Sequence, residues 1–480
     1  MSSELSVLGS VEELAGRLLD LQLVSPTEMR RCRSALPRSA SGAELLQMLE
    51  GRELVTSYQA RKIEKGEAEQ LVIGGCKLMY QNASGSFARL YRAARLDNGQ
   101  MIGIKVLRDR WAKDPDAVLM FRREGELGKR LKHPNIVPIF DVGSSGKFHY
   151  ITMEFVEGGN LKDFLKIRGK LAPLEALQYT LHICRALEAA LAMGLTHRDM
   201  KATNVLMSSQ GVAKLIDFGL AADDAPAGRG SNAELAQAIE YSTLEKNTGA
   251  PKNDPRSDLF FLGTILYELL TGEPPYPRTK DREERRKFSR YRDIRPVTSI
   301  DAALPRSAAG IVDRLLLTSP AARYQTPTEV IQDVEAALKE LGQPSTSKPE
   351  PTALAADAKV ILCVEHRANR QDVLRDYFSK RGYRLVLLAD ADRALARLKT
   401  MTPRGIVLFG DAMGERIAQD YPQALSLTEG QPVAVLAVLS DAQRSLAKKL
   451  PSHARGVVLQ QPTSLRDLRQ SIEKVLKKIE

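Results

Sequence analysis

The chain is poor in cysteine and tryptophan, since its 480 residues include only four cysteines and one tryptophan. Cys32, Cys76, Cys184 and Cys363 are far apart in the sequence and form no CxxC pair. This spacing argues against a disulfide framework and against a zinc site. We therefore expect all four thiols to be reduced.

Long apolar runs are also missing. No stretch approaches the roughly 20 apolar residues that a membrane-spanning helix needs. The start of the chain lacks the basic segment, apolar segment and small-residue cleavage site of a signal peptide. We therefore expect a soluble, cytoplasmic protein without a membrane span.

The chain has a net charge of +11, which would suit an acidic partner. No nucleic-acid-binding motif is recognisable, and we expect no nucleic acid partner. The densest basic stretch, residues 278–295, holds nine Lys or Arg residues against four Asp or Glu residues. Such a stretch is more often a solvated helix or loop than a binding surface, so docking of an acidic protein there is the weaker interpretation.

Apolar patterning divides the chain into four parts. Residues 1–70 show helical spacing in short pieces, with helix starts indicated at Ser25 and Ser41. Residues 71–341 are first rich in strand patterns and then rich in helix patterns, which predicts one α+β domain with two lobes. Residues 342–358 contain Pro, Ser and Thr without periodicity and are typical of a linker.

Residues 359–480 form the fourth part, where short apolar runs alternate with helical patterns. The runs are Val360–Val364, Leu385–Leu388, Ile406–Phe409, Val433–Leu439 and Val457–Leu459. Parallel strands need crossover connections, so this alternation predicts an α/β domain with a parallel sheet covered by helices on both faces.

Several charged motifs in the second part follow the order and spacing of a phosphoryl-transfer site. The segment His197–Asn204 fits the pattern H-R-D-x-x-x-x-N at every defined position, and Asp217-Phe218-Gly219 follows it. Upstream, Ile102-Gly103-Ile104-Lys105 is similar to a V-A-I-K strand, and Glu124 lies in the next helical pattern. Phosphoryl transfer needs metal ligands, a group that positions the nucleophile and cations on the phosphates, and these motifs contain all of them.

Residues 75–338 thereby resemble the eukaryotic-like serine/threonine protein kinases of bacteria, which implies a two-lobed protein kinase fold with ATP and Mg²⁺ as cofactors and proteins as substrates. In that resemblance Asp199 accepts the proton of the substrate hydroxyl, and Asn204 and Asp217 hold the metal ions. Lys201 contacts the γ-phosphate and favours Ser/Thr over Tyr as the acceptor. Lys105, held by Glu124, binds the α- and β-phosphates.

The same resemblance implies further nucleotide-binding positions and one structural ion pair. The positions around the adenine and the phosphates are Ala83, Gly85, Leu90, Gly103, Met153, Glu154, Val156 and Leu206. Gly103 replaces the usual alanine over the adenine, which would enlarge that pocket slightly. Arg323 matches the arginine that pairs with the glutamate of the activation segment, here Glu245.

Two segments depart from the family pattern. In the glycine-rich loop only Gly85 is kept, because alanine stands at positions 83 and 88; a Cβ there holds the backbone away from the phosphates. The activation-segment pattern G-T-x-x-Y-x-x-P-E reads as residues 237–245, with Ala238 for the threonine and Leu244 for the proline. Ser231 is the one hydroxylated residue between positions 220 and 237.

Two functions are compatible with these motifs. The first is an active protein serine/threonine kinase in cytosolic signalling. The second is a pseudokinase scaffold, which would bind nucleotide or partners without transfer. The presence of Asp199, Asn204 and Asp217 together favours the active enzyme, because a pure scaffold has no physical need for this set of charges and ligands.

The fourth part resembles response-regulator receiver domains, which implies a flavodoxin-like fold. Its site departs from that family: the acidic pair after the first strand is Glu365-His366, and the phosphoacceptor position at the end of the third strand is Gly410. Asp411 comes one residue late, and side-chain alternation would turn it to the opposite face if the strand continued that far. Gln461 replaces the lysine that this family has before the proline near the fifth strand. We expect a receiver-like domain without receiver chemistry, used to contact a protein partner or simply to stabilise or space the kinase.

Overall fold

The computed structural model describes residues 8–52, 54–208, 210–218, 232–279, 281–342, 359–365, 370–371, 374, 377–378, 381–388, 391–398 and 401–479. Two compact units are present, one formed by residues 67–351 and the other by residues 1–66 and 352–480. The domain boundaries predicted from the sequence are finer than this division.

The N-terminal region contains four short helices. They are α1 (Val11–Asp20), α2 (Pro26–Ser34), α3 (Gly42–Gly51) and α4 (Ser57–Glu64). Each helix begins with a capping box, in which a Ser or Thr side chain and a Glu or Gln side chain satisfy each other's backbone N–H groups. Ser25 and Ser41 are two of these caps, at the helix starts that the sequence indicates.

Residues 67–351 begin with a six-stranded antiparallel sheet in the order β1-β2-β3-β4-β6-β5. Its strands are β1 (Val72–Ile73), β2 (Cys76–Ser84), β3 (Ala88–Arg95), β4 (Met101–Leu107), β5 (Ile139–Ser145) and β6 (Phe148–Glu154). Helix α5 (Pro115–Arg130) connects β4 to β5. Gly125 and Gly128 let α5 lie close to the sheet, because a Cβ at Gly125 would be 2.6 Å from Val142 Cγ2 and one at Gly128 would be 2.5 Å from Ile139 Cδ1.

The rest of this unit is mainly helical. Its elements are α6 (Leu161–Arg168), α7 (Pro173–Leu191), β7 (Val205–Met207), β8 (Ala213–Leu215), α8 (Asn232–Thr248), α9 (Pro255–Thr271), α10 (Arg282–Arg285), α11 (Ser289–Arg292), α12 (Arg306–Leu315) and α13 (Pro327–Glu340). Helix α9 is apolar on nearly all sides and forms the centre of the largest apolar core, as expected for a fully surrounded helix. The sheet followed by these helices forms the two lobes of a protein kinase fold.

The C-terminal region contains a five-stranded parallel sheet in the order β10-β9-β11-β12-β13. The strands are β9 (Val360–Val364), β10 (Arg384–Leu388), β11 (Gly405–Phe409), β12 (Ala434–Leu439) and β13 (Gly456–Gln460). They lie at the five apolar runs of the sequence. The helices are α14 (Ala391–Leu398), α15 (Gly410–Met413), α16 (Ile417–Leu427) and α17 (Leu465–Ile479).

Both faces of this parallel sheet are covered. One apolar cluster joins Leu362 to α14 and α16, and the other joins Ile361 to Phe378 and α17. Leu362 and Ile361 are neighbours in β9, and successive side chains of a strand point to opposite faces. The sheet therefore has an apolar layer on each side, as parallel sheets usually do.

Candidate active site

The backbone of the segment that contains Asp199 is hydrogen-bonded to helix α9. Asp258 Oδ2 accepts a hydrogen bond from His197 N at 2.7 Å, and Asp258 Oδ1 accepts one from Arg198 N at 2.9 Å. Arg198 has φ +60°, which is uncommon for a residue other than glycine. Burial raises the pKa of Asp258, while His197 and the hydrogen bonds oppose this effect. Asp258 thus ties the strained turn before Asp199 to the helical core.

Tyr241, in helix α8, makes a second tie between these elements. Its hydroxyl donates to Asp258 Oδ1 at 2.8 Å and accepts a hydrogen bond from Met200 N at 3.0 Å. Neither Tyr241 nor Asp258 is among the site residues predicted from the sequence. The sequence signals were the position of Tyr241 within the activation-segment pattern and the position of Asp258 directly before the apolar run Leu259–Leu262.

The structure brings the three residues predicted as catalytic into direct contact. Asp199 Oδ2 lies 2.5 Å from Lys201 Nζ and 2.8 Å from Asn204 Nδ2. Asn204 Nδ2 also donates to Asp199 O at 2.9 Å, and Asp199 N donates to His197 Nδ1 at 3.2 Å. The Asp199 carboxylate is therefore fixed in position by a cation and an amide.

Lys105 joins strand β4 to helix α5 and to the segment after β8. Its Nζ is 2.6 Å from Glu124 Oε1 and 2.8 Å from Asp217 Oδ1. Burial disfavours the charge on Lys105, but Asp217 and Glu124 outweigh it and raise the pKa of Lys105 well above its ordinary value. The ammonium group therefore stays protonated between two carboxylates.

Four of the residues predicted around the adenine and the phosphates lie in or against one apolar cluster. Met153 and Val156 are buried in it, and Leu90 and Leu206 pack against it. Next to this cluster, Glu154 accepts hydrogen bonds from Lys214 Nζ at 2.8 and 2.6 Å. A small cavity behind Lys105 is lined by residues that include Met153, Asp217 and Phe218.

Gly103 lies next to Met153 in the sheet. A Cβ at Gly103 would be 3.1 Å from Met153 Cγ, so an alanine at this position would require Met153 to shift slightly. The larger adenine pocket expected from the sequence stays a prediction.

The segment that replaces the glycine-rich loop lies between strands β2 and β3. Ala83 pairs with Leu90 in the sheet, and Gly85 N donates to Ala88 O at 3.0 Å. Ala88 is buried in the same apolar cluster as Met153. The predicted positions Ala83, Gly85 and Leu90 thus form one hairpin at the edge of the cluster.

The activation-segment pattern, residues 237–245, lies within helix α8. Leu244, which stands where the family has proline, is buried and keeps the backbone N–H that a helix interior needs. Residues 219–231, including Gly219 and Ser231, and the side chains of 232–238, including Ala238, lie outside the described residues.

Arg323 does not pair with Glu245, so the prediction of that ion pair is wrong. The Arg323 guanidinium donates to the backbone carbonyls of Leu317 at 2.9 Å and Thr318 at 3.2 Å, and also to that of Arg256. Glu245 instead accepts a hydrogen bond from Ser257 Oγ at 3.2 Å. Both side chains are buried but satisfied by other groups.

A second polar cluster lies at the carboxyl edge of the parallel sheet in the C-terminal region. Arg370 Nη1 is 3.1 Å from Glu365 Oε2 and 3.1 Å from each carboxylate oxygen of Asp411. Gln461 Nε2 donates to Asp411 Oδ2 at 2.9 Å. His366 lies outside the described residues.

Asp411 therefore does not turn away from this edge. Strand β11 ends at Phe409, and Gly410 begins the short helix α15, so the alternation of strand side chains no longer applies at Asp411. Asp411 lies within hydrogen-bond distance of Arg370 and Gln461, and the condition for an opposite face, a strand that continues to Asp411, is not met.

Residues 83–334, more than half of the 480-residue chain, match the family described as the protein kinase domain. The chain belongs to the protein kinase family. Strands β3 to β6, most of the helical lobe and the contacts around Asp199 and Lys105 lie within these matched residues, whereas β1 and most of β2 precede them.

Curated relatives of the matched region are bacterial serine/threonine kinases. A probable serine/threonine-protein kinase of Clostridium perfringens is 32% identical over 265 residues, which cover 55% of this chain and 38% of the relative. The serine/threonine-protein kinase PknB of Mycobacterium tuberculosis is 33% identical over 257 residues, which cover 52% of this chain and 41% of the relative. The chain spans about two fifths of the length of these relatives.

In the part of the chain that the structure describes, no helix is both long and apolar enough to span a membrane. The same residues contain no group of three or more His, Cys, Asp or Glu side chains that could hold a metal ion.

Proposed function

We propose that this chain is a protein serine/threonine kinase that transfers the γ-phosphate of ATP to Ser or Thr hydroxyls of proteins. The observation that carries this proposal is the joint arrangement of two charged groups. Lys201 and Asn204 fix the Asp199 carboxylate, and Lys105 is held between Glu124 and Asp217. The bacterial serine/threonine kinase relatives support the same assignment.

Each residue of this arrangement has a distinct task in the proposed reaction. Asp199 orients the substrate hydroxyl and accepts its proton as the oxygen attacks the γ-phosphorus. Lys201 neutralises charge beside that carboxylate and on the transferred group. Lys105 places a fixed positive charge on the α- and β-phosphates, and Glu124 keeps its side chain extended towards them.

The ligand atoms near Asp217 suit magnesium. Asp217 provides a carboxylate. Asn204 provides a side-chain amide whose nitrogen donates hydrogen bonds to Asp199. Asn204 Oδ1 accepts no hydrogen bond from the described residues, so this hard oxygen is available as a ligand. When bound, Mg²⁺ supplies charge neutralisation between the β- and γ-phosphates. Asn204 and Asp217 are the residues that would hold it.

A radiolabelled transfer assay tests this function. Wild-type chain with Mg²⁺ and labelled ATP should phosphorylate itself or a generic basic protein, and Asp199→Asn should abolish the label while ATP binding is kept. Asp293→Asn is the matched control, because Asp293 carries only an exposed ion pair with Arg292. A wild type that binds ATP but transfers no phosphate with Mg²⁺ or Mn²⁺ would instead support the pseudokinase function.

For the C-terminal region we propose a receiver-like α/β domain over residues 359–480 that contacts a protein partner and lacks receiver chemistry. The parallel sheet order β10-β9-β11-β12-β13 supports the fold. Arg370 between Glu365 and Asp411 supports the loss of chemistry, because an internal cation takes the position next to both carboxylates. With residues 1–70 as a helical region, 71–341 as the kinase domain and 342–358 as a linker, the chain would act in cytosolic signal transduction.

A further inference from the structure

The segment directly after strand β4, residues 108–111, makes several hydrogen bonds to the hairpin that replaces the glycine-rich loop. Trp111 Nε1 donates a hydrogen bond to Ser86 O at 3.1 Å, and the Arg110 guanidinium donates to the same carbonyl. Arg108 N donates to Phe87 O at 3.0 Å, and the Arg108 guanidinium donates to Ser84 Oγ. These contacts fix both the tip and the start of the hairpin.

Aromatic packing also connects the hairpin to helix α5. The Phe87 ring centroid lies 6.0 Å from that of Trp111 and 6.2 Å from that of Phe121, in tilted and edge-on arrangements. Such pairs stabilise beyond the area that they bury. Phe121 is fully buried in α5, the helix that carries Glu124. The tip of the hairpin is thus packed onto the same helix that positions Lys105.

These contacts matter because the hairpin has alanine at positions 83 and 88, where the family pattern has glycine. In a glycine-rich loop, backbone flexibility lets the amide groups approach the phosphates closely. Here Ala83 and Ala88 reduce that freedom, and Ala88 is buried. A stiffer hairpin binds phosphate well only if it is already held in the right place, because the cost of ordering it is then avoided at binding.

We propose that Trp111 is a positioning residue for the phosphates of the bound nucleotide. Its indole N–H fixes the Ser86 peptide group, and its ring fixes Phe87, so the hairpin stays over the phosphate site and moves together with helix α5. This inference rests on the proposed kinase function. It assigns to Trp111 a role that none of the charged motifs covers.

Trp111 is the sole tryptophan of the chain, so its fluorescence reports directly on this contact. Titration of the full chain with Mg²⁺ and a non-hydrolysable ATP analogue should change the tryptophan emission. Adenosine, which lacks phosphates, should leave the emission unchanged even at saturation. Equal responses to adenosine and to the ATP analogue would overturn the proposed link to the phosphates.

Calorimetric titration of variants measures the contribution to affinity. Trp111→Phe keeps an aromatic ring but loses the N–H donor, and it should weaken binding of the ATP analogue about fivefold, the effect of one neutral hydrogen bond. Adenosine affinity should stay unchanged, and the KM for ATP should rise with little change in kcat. Lys113→Ala, an exposed neighbour, is the matched control and should behave as wild type.

Arg110→Met removes the other donor to Ser86 O and keeps the tryptophan, so it tests the same contact if Trp111→Phe does not fold. It should also weaken binding of the ATP analogue and not of adenosine. If active wild type and both variants bind the analogue equally well, the inference is overturned while the kinase function stands. If wild type binds no nucleotide, the proposed function is overturned together with it.

Discussion

The hydroxyl of Tyr241 donates a hydrogen bond to Asp258 Oδ1 at 2.8 Å, inside the helical lobe. Burial and the charge of Asp258 raise the pKa of Tyr241 well above its ordinary value, so the hydroxyl stays protonated and donates. The hydroxyl oxygen of Tyr241 also accepts a hydrogen bond from Met200 N, one residue after Asp199. Helix α8, helix α9 and the segment that contains Asp199 therefore meet at the hydroxyl oxygen of Tyr241.

Removal of that oxygen should lower both stability and turnover. Tyr241→Phe leaves Met200 N–H without its partner, and Asp258 loses one of its donors, which should cost about 1–3 kcal/mol of unfolding free energy. Because Met200 adjoins Asp199, we expect kcat to fall about tenfold while KM for ATP changes little. Thermal unfolding and steady-state kinetics measure the two effects.

Tyr324→Phe provides the control for this prediction. Tyr324 also donates to an aspartate, Asp333 Oδ2, at 2.6 Å, and this hydrogen bond joins two residues that are far in sequence from Asp199. It should lose stability without a comparable loss of kcat. Equal losses of kcat in the two variants would show that Tyr241 acts only through general stability.

His182 should make the kinase unit less stable in acid. Burial lowers the pKa of His182 from 6.5 to about 4, and its Nδ1 accepts a hydrogen bond from Ala213 N at 3.3 Å. Above pH 6.5 the imidazole is neutral in both states. As pH falls from 6.5 to 4, only the unfolded state binds the proton, so the unfolding free energy falls, by about 3 kcal/mol at most. Denaturant unfolding followed by Trp111 fluorescence measures this loss.

His182→Asn isolates the contribution of the imidazole. The asparagine Oδ1 can accept from Ala213 N in place of Nδ1, and it does not titrate in this range. Stability of the variant should therefore depend less on pH between 4 and 6.5 than that of wild type. Identical pH profiles would mean that His182 is not the group responsible.

The contacts around Asp199 and Lys105 were predictable because these residues lie in short, ordered motifs. The segment His197–Asn204 and Asp217 occupy neighbouring stretches of the chain, and Lys105 and Glu124 have the spacing of a strand followed by a helix. The strands of the C-terminal sheet were equally accessible, since buried parallel strands are continuous apolar runs. Both kinds of signal are local in the sequence.

Contacts that depend on tertiary packing were not predictable. Trp111 meets Ser86 only because the segment after β4 folds back on the β2–β3 hairpin. Arg323 has backbone carbonyls in reach, and these satisfy it in place of Glu245. The face taken by Asp411 stayed open because the end of a strand cannot be read to one residue from an apolar run, and one residue decides which face a side chain takes.

Arg370 should be essential for the stability of the C-terminal sheet. Glu365 is fully buried, and Arg370 lies 3.1 Å from it. Arg370→Met would leave a buried carboxylate without its cation, and the opening free energy of strands β9 and β11 should fall by about 3–5 kcal/mol. Hydrogen exchange with mass spectrometry of the full chain measures this loss strand by strand.

Arg444→Met is the matched control in the same region. Arg444 pairs with Asp441 at 3.0 Å on the surface, with both side chains more than half exposed. Such pairs contribute about 0–1 kcal/mol, so exchange should stay close to that of wild type. If hydrogen exchange in Arg370→Met is the same as in wild type, the buried cluster does not need its arginine.

Asp411 should not accept phosphate, although it lies at the carboxyl edge of the sheet. A phosphoaspartate needs a free carboxylate oxygen, a metal held by neighbouring acids and a lysine that neutralises the product. Both oxygens of Asp411 are engaged by Arg370, one of them also by Gln461, and Gln461 is neutral.

Acetyl phosphate with Mg²⁺ should therefore leave residues 359–480 unlabelled, and beryllofluoride should cause no spectral response. A receiver domain that accepts phosphate, treated in parallel, shows that the reagents work. Asp411→Asn should give the same background as wild type, because no phosphate is present for it to remove. Hydroxylamine-sensitive phosphate that appears in wild type and is lost in Asp411→Asn would contradict the prediction. It would mean that Arg370 can leave Asp411 and that this region keeps a phosphorylation chemistry of its own.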